Sequence, residues 1–444
     1  MVTFCSQRWN TVRCSGVLAC VLVGLLVMAM SGSAQSGPSR TAPGQYGGWV
    51  ASWGTAMMQA DFGHGTDVTG QTVRLIVHTS AGGEKARIWL SNRYGSVPLY
   101  VGGAHIAVNA YTDPLQASDG SAILPETDRK LTFNGEASVT IPAGSTMVSD
   151  PVAVRIPPLA DLAVSLYFPQ HTEATTLHGG AQQTSFAANG ELTGAASLAA
   201  TSWQEHSWFF LSGVDVYAPG VLSVIALGDS ITDGNHSTPN ANRRWPDDLA
   251  VRLQANAATR AAGILGVVNA GISGNRVLLD GTGPNAMERL EDDVLERSGA
   301  RYLILFHGIN DIEAVTHRHQ AYGDLNKRLE WALTQITERA HERGMVVIGA
   351  TQMPDCHNLH CASPDGEVTR QAFNDWIRTA PIFDGMVDFD RITRDPQHPS
   401  QLLPAYDSGD GVHPNDVGYS AMSDAIDLSL FSAPTKHAVS GEAH

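Results

Sequence analysis

The stretch Val221-Leu222-Ser223-Val224-Ile225-Ala226-Leu227 is apolar apart from one serine and runs directly into Gly228-Asp229-Ser230-Ile231-Thr232-Asp233-Gly234. A run this uniform suits a strand buried on both faces, the situation of parallel sheets covered by helices. Arg301-Tyr302-Leu303-Ile304-Leu305-Phe306 and Met345-Val346-Val347-Ile348-Gly349-Ala350 repeat the pattern. Between such runs lie helix-length segments. Leu325, Leu329, Leu333 and Ile336 recur on one helical face before Gly344, and Met287, Leu290, Val294 and Leu295 do the same. Pro246 suits the first turn of a helix continuing through Leu249 and Leu253. Strands alternating with helices predict a parallel sheet with helices on both faces.

The first half of the chain reads differently. Thr72–His78, Ala86–Ser91, Val139–Ile141, Val152–Ile156 and Leu162–Tyr167 are short, partly alternating runs. Turn-rich spacers such as Ser91-Asn92-Arg93-Tyr94-Gly95 and Pro142-Ala143-Gly144-Ser145 separate them. Short strands at close spacing predict an all-β sandwich or jelly roll. The expected organisation is a leader over 1–34, a flexible link over 35–47, a β-domain over 48–218, an α/β domain over 219–432 and a disordered tail over 433–444.

The leader rests on Arg8 and Arg13, then an unbroken apolar and small-residue run from Val17 to Met30, then Ser31-Gly32-Ser33-Ala34. This is the pattern of a secretory signal peptide cleaved after Ala34. The run is short of the roughly 20 residues a spanning helix needs, so no stable membrane anchor is expected after cleavage. Removal takes away two arginines and no acid, deepening the formal charge from −16 to −18. So acidic a chain lacks the basic footprint of a nucleic-acid binder. Of five cysteines, only Cys356 and Cys361 survive cleavage. In an oxidising compartment two nearby cysteines pair. A zinc site with His357 or His360 is the rival, less favoured because structural zinc ligands usually come from two separate turns. Either way the segment is a loop staple, and the expected location is extracellular or periplasmic.

In open parallel sheets ligands bind beyond the carboxyl ends of the strands, so the chemistry belongs in the segments that follow the apolar runs. The first is followed by Gly228-Asp229-Ser230, and Val267-Val268-Asn269 by Ala270-Gly271-Ile272-Ser273-Gly274. Arg301–Phe306 leads into His307-Gly308-Ile309-Asn310-Asp311, and Asp410-Gly411-Val412-His413-Pro414 stands before the last helix. A serine hydroxyl is a poor nucleophile until a base takes its proton, and a histidine oriented by a carboxylate is the common device. Ser230, His413 and Asp410 supply those groups. An oxyanion needs hydrogen-bond donors, which the backbone of Ser230 and Gly274 and the amide of Asn310 can provide. Asp229, Asn269 and Asp311 fit a supporting role, since short Asx side chains satisfy backbone groups at turns.

These four blocks resemble those of the GDSL, or SGNH, hydrolase superfamily, whose Ser, Gly, Asn and His match Ser230, Gly274, Asn310 and His413. The resemblance covers about 221–432. It implies a flavodoxin-like three-layer α/β/α domain, ester hydrolysis without metal or organic cofactor, Ser230 as nucleophile, His413 as base and Asp410 as its partner. It also implies an oxyanion hole made by Ser230, Gly274 and Asn310. Ile231 stands where the name motif has Leu. His307 falls in a slot that varies in the family and is expected to line the pocket, as is the loop from Asn235 to Arg244. The segment from Trp49 to Val216 looks like the N-terminal β-domain of some secreted bacterial members. The α/β-hydrolase alternative fails, because Thr232 replaces the last glycine of Gly-x-Ser-x-Gly.

The expected function is a secreted serine esterase acting on small-molecule or polysaccharide-linked esters, with a lean toward short-chain or acetyl esters of carbohydrate. The alternatives are a lipase or lysophospholipase, and a carbohydrate-binding protein with a vestigial hydrolase domain.

Overall fold

The apolar run after Gly220 forms β1, Leu222–Gly228, inside a five-stranded sheet. The other strands are β2, Ile264–Gly271; β3, Ala300–Phe306; β4, Val346–Ala350; and β5, Gly385–Val387. The computed structural model describes residues 47–60, 65–110, 120–198, 202–318, 321–355 and 364–431. The expected leader, the Cys356 and Cys361 segment and the tail over 433–444 lie outside the described residues. Every pair in the sheet is parallel, in the order β2-β1-β3-β4-β5. This is the flavodoxin-like order, whose switch point lies between β1 and β3.

Helices α1, Ser230–Asp233; α2, Trp245–Ala255; α3, Ile309–His317; α4, Leu325–Glu342; α5, Pro364–Thr379; and α6, Asp416–Ala425 connect and flank the strands. Alternate residues of β1 point to opposite faces. Ile225 and Leu227 join the leucine stripe of α4 and Phe373 and Ile377 of α5. Val224 and Ala226 join Trp245, Leu249 and Leu253 of α2 and Tyr419 and Met422 of α6. Two apolar layers thus enclose the sheet, as the apolar runs require. The segment from Met287 to Leu295 departs from expectation. It is a short π-type turn, Glu291–Leu295, that still buries Leu290 and Val294. A buried arginine governs it, because Arg289 donates to the carbonyls of Gly228 and Ala270 and to Asp293.

Among the described residues up to Tyr217, two large antiparallel sheets are accompanied by smaller two- and three-stranded ones, among them one of Trp208–Phe209, Thr176–His178 and Met58–Gln59. One large sheet has Trp49–Gly54, Leu211–Tyr217, Gly83–Ser91 and Thr146–Val148 in that order, with Val152–Ile156 also on Gly83–Ser91. The other orders Ser202–Glu205, Ser185–Asn189, Gln71–His78, Asp161–Phe168, Gly103–Val108 and Arg129–Lys130. Val73, Leu75 and Val77 face Ile88, Leu90, Val214 and Val216 across the interior. The alternation in this strand is only partial because Ile76 on the opposite face is buried against Ala107, Ala163 and Phe186. Arg74 on that face is fully buried as well, donating to Ser165 Oγ and to the Ser121 and Ala195 carbonyls.

The two halves pack into one unit. The N–H of Val267 donates to Ser80 Oγ at 2.8 Å, and that hydroxyl is 3.1 Å from the Val267 carbonyl. The antiparallel half thereby covers the open edge of β2, an exposed strand edge being a liability. Arg297 adds bonds to the Ser212 and Thr55 carbonyls at 2.8 and 2.9 Å. No helix among the described residues is long and apolar enough to cross a membrane.

Candidate active site

Ser230 is the first residue of α1, at the carboxyl end of β1. Asp229 caps this helix, its Oδ1 accepting the Ile231 N–H at 3.2 Å, which leaves the serine hydroxyl free of a capping role. Ser230 Oγ is 2.9 Å from His413 Nε2, and His413 Nδ1 is 2.6 Å from Asp410 Oδ2. The other Asp410 oxygen accepts the N–H groups of Val412 and His413 at 2.9 and 2.8 Å. Asn415, not Asp410, caps α6, accepting the Gly418 N–H. Asp and His therefore come from one rigid turn, and serine, imidazole and carboxylate form an unbroken hydrogen-bonded row. Partial burial works against the Asp410 charge. The bonds from the His413 ring and from the His413 and Val412 N–H groups outweigh it and hold the carboxyl well below its usual range.

The oxyanion candidates sit at the ends of the neighbouring strands. Gly274 follows β2 with φ +74°, the left-handed region, and a Cβ there would lie 3.0 Å from Thr282 Oγ1. Glycine suits this corner on both counts. Asn310 is the second residue of α3, just after β3, and its Nδ2 is buried with no protein partner among the described residues. A buried amide donor without an acceptor is costly unless something supplies one.

The supporting residues fasten loops. Asn269 Nδ2 donates to the Thr232 carbonyl at 2.6 Å while its Oδ1 accepts the Gly271 N–H at 2.9 Å. Asp311 accepts the N–H groups of Val277 and Leu278 at 2.8 and 3.0 Å, pinning the segment after Gly274. Burial pushes the Asp229 carboxyl up to about 7 and that of Asp311 up to about 6.

His307 is not a pocket residue. It is fully buried, with Nε2 3.0 Å from Asn275 Oδ1, an oxygen that also accepts from Arg289. Burial and the nearby Arg289 charge hold its imidazole well below the usual value, so it is neutral. It is therefore a post beneath the glycine loop. The Asn235–Arg244 loop does reach the site. Asn235 Nδ2 lies 3.5 Å from His413 Nε2, and half-exposed His236 places Nε2 3.2 Å from Asp410 Oδ2.

Several residues escaped the sequence. Arg289 ties the ends of β1 and β2 together, Glu313 lies near enough to Asp229 and Asp410 to feel their charge, and Asp355 lies near enough to Glu313 to do the same to it. Burial, reinforced by the Asp355, Asp229 and Asp410 charges, pushes the Glu313 carboxyl up to about 8. None stands in a motif, so only tertiary contact identifies them. His236, Asp410 and His413 offer ligand atoms within 4.8 Å of one another. Two of those atoms are already bonded at 2.6 Å, so the arrangement reads as a hydrogen-bonded row and not as a metal seat.

Residues 226–421 match the model of the GDSL-like lipase/acylhydrolase family. Among solved structures, the chain is similar to an acetylxylan esterase from Geobacillus stearothermophilus at 21% identity, covering 46% of this chain and 91% of that one with a TM-score of 0.35. A GDSL-like lipase from Bacteroides thetaiotaomicron matches at 21% identity over 47% of this chain and 88% of its own, with a TM-score of 0.34. An alpha/beta hydrolase from the metagenome of Lake Arreo matches at 22% identity over 48% and 95%, with a TM-score of 0.36. No curated protein matches the chain.

Proposed function

With residues 226–421 forming a GDSL-like lipase/acylhydrolase domain, that of a carboxylic ester hydrolase, we propose that this protein is a secreted serine esterase working through Ser230, His413 and Asp410. The row from Ser230 Oγ through His413 to Asp410, at 2.9 and 2.6 Å, carries this reading. His413 Nε2 takes the Ser230 proton as Oγ attacks the ester carbonyl. The N–H groups of Ser230 and Gly274 and the Asn310 amide donate to the oxyanion. His413 returns the proton to the departing alcohol, then activates the water that releases the acid from the acyl-enzyme. Asp410 stays ionised throughout, fixing the tautomer and stabilising the imidazolium.

The preferred substrates are short-chain or acetyl esters of carbohydrate. The side chains that reach His413 and Asp410, Asn235 and His236, are polar, which supports a small acyl group on a hydroxylated alcohol over a long hydrocarbon chain. Secretion is supported by the leader pattern over 1–34.

Ser230→Ala lowers turnover of an aryl acetate by about 10⁴-fold or more and abolishes labelling by a fluorophosphonate, with the fold intact. Activity persisting in that variant would remove Ser230 as nucleophile. A wild type that takes up no label would favour the vestigial binding protein. Across a ladder of acyl lengths the rate falls from acetyl to octanoyl. A rise along the ladder would transfer the protein to the lipases.

A further inference from the structure

The row at Ser230 uses one carboxylate–imidazole pair, and a second pair lies at the other end of the same helix. Asp233 is the last residue of α1 and is buried. Its Oδ1 is 3.0 Å from Nε2 of His178, on strand Thr176–His178 of the antiparallel half. Its Oδ2 accepts from the Ser273 N–H at 3.0 Å and the Ser273 hydroxyl at 2.8 Å. Ser273 immediately precedes Gly274. One carboxylate thus joins the nucleophile's helix, the loop that presents Gly274, and the half of the chain before Tyr217.

The imidazole is held from every side. Its Nδ1 is 2.8 Å from the Ala56 carbonyl, and its ring stacks on Trp208 with centroids 5.5 Å apart. Both ring nitrogens face oxygen atoms of the protein, so neither lacks a hydrogen-bond partner. Gly180, two residues on, comes so close that a Cβ there would lie 2.5 Å from Asp233 Oδ2. His178 and Asp233 keep only 2% and 5% of their side-chain surface exposed. Burying such a pair returns little net stability over apolar residues of the same size, so stability alone does not account for it.

We propose that His178 is a positioning residue of the esterase, through which the antiparallel half completes the active site. His178 fixes Asp233, and Asp233 sets the distance between the Ser230 helix and the Gly274 N–H. Donors must sit within a few tenths of an ångström of the oxyanion position, and a displacement of about 1 Å costs about 10²-fold in rate. This rests on the serine-esterase reading above and adds the part played by residues outside the matched domain.

The test is steady-state kinetics of the full chain on an aryl acetate, with Ser230→Ala run alongside. Activity that survives Ser230→Ala overturns the esterase reading itself, whereas activity lost in Ser230→Ala leaves the remaining variants to judge His178. His178→Ala lowers kcat by about 30-fold with KM within about twofold. His178→Gln, whose amide can still donate to Asp233, stays within about threefold of wild type. Ser273→Ala, a milder change on the same carboxylate, lowers kcat about threefold at unchanged KM and serves if His178→Ala does not fold. A folded His178→Ala with wild-type kcat, a glutamine variant as impaired as the alanine one, or a Ser273→Ala enzyme with unchanged kcat would each overturn the proposal.

Discussion

Two aspartate–histidine pairs stand at opposite ends of one short helix, and they are built in opposite ways. Asp410 and His413 lie three residues apart on one turn, keep 24% and 17% of their side-chain surface exposed, and are joined at 2.6 Å. Asp233 and His178 are 55 residues apart, nearly sealed from solvent, and joined at 3.0 Å. In the proposed mechanism the first pair takes and returns protons, so its imidazole needs access to serine and water. The second has both ring nitrogens and both carboxylate oxygens in hydrogen bonds within the protein. On the proposed roles, one arrangement of groups serves chemistry when partly open and geometry when closed.

The largest expected break in this comparison is at Asp410. Asp410→Asn keeps the shape but not the charge, and kcat on an aryl acetate falls by about 10³-fold or more. The loss exceeds that of His178→Ala by at least tenfold. Equal losses in the two variants would erase the distinction between a reacting pair and a positioning pair.

A smaller effect is expected at His236, which approaches the same Asp410 oxygen at 3.2 Å from a side chain 49% exposed. His236→Ala changes kcat by less than about threefold, since exposed ion pairs contribute little. A loss as large as that of Asp410→Asn would make His236 part of the reacting pair.

A third carboxyl sharpens the contrast by having no histidine partner among the described residues. Asp355 has both oxygens buried without a protein partner among the described residues, and burial pushes it up to about 7. Below about pH 4, folded and unfolded chains both hold this proton. Between about 4 and 7 the unfolded chain releases it while the folded chain keeps it, so stability falls as pH rises through that window. Asp355→Asn removes this fall, leaving the melting temperature flatter with pH than the wild type. A variant with the wild-type slope would show that this carboxyl does not resist ionisation.

What could be read in the sequence follows the range of the interactions. Strands β1, β3 and β4 announce themselves because burial on both faces demands uninterrupted apolar side chains. Asp410 and His413 are legible as a pair because a single turn spans their separation. Strand β5 escaped notice because Gly385–Val387 is too short to show a pattern. The turn at Glu291–Leu295 was misread as a longer helix because the leucine spacing is silent about Arg289. His307 was assigned to the pocket from its place beside the Asn310 block, while its ring turns inward to Asn275.

The sequence by itself determined the order of elements, the α/β character of the second half, and which serine, histidine and aspartate stand at the candidate loops beside the strand ends. Each of these depends on residues close together in the chain. Only the tertiary structure decided that the buried Asn310 donor has no protein partner among the described residues, that Ser80 closes the edge of β2, and that His178 reaches Asp233. Hydrogen bonds between residues so distant in sequence depend on how two sheets dock, and docking leaves no periodicity or spacing to read.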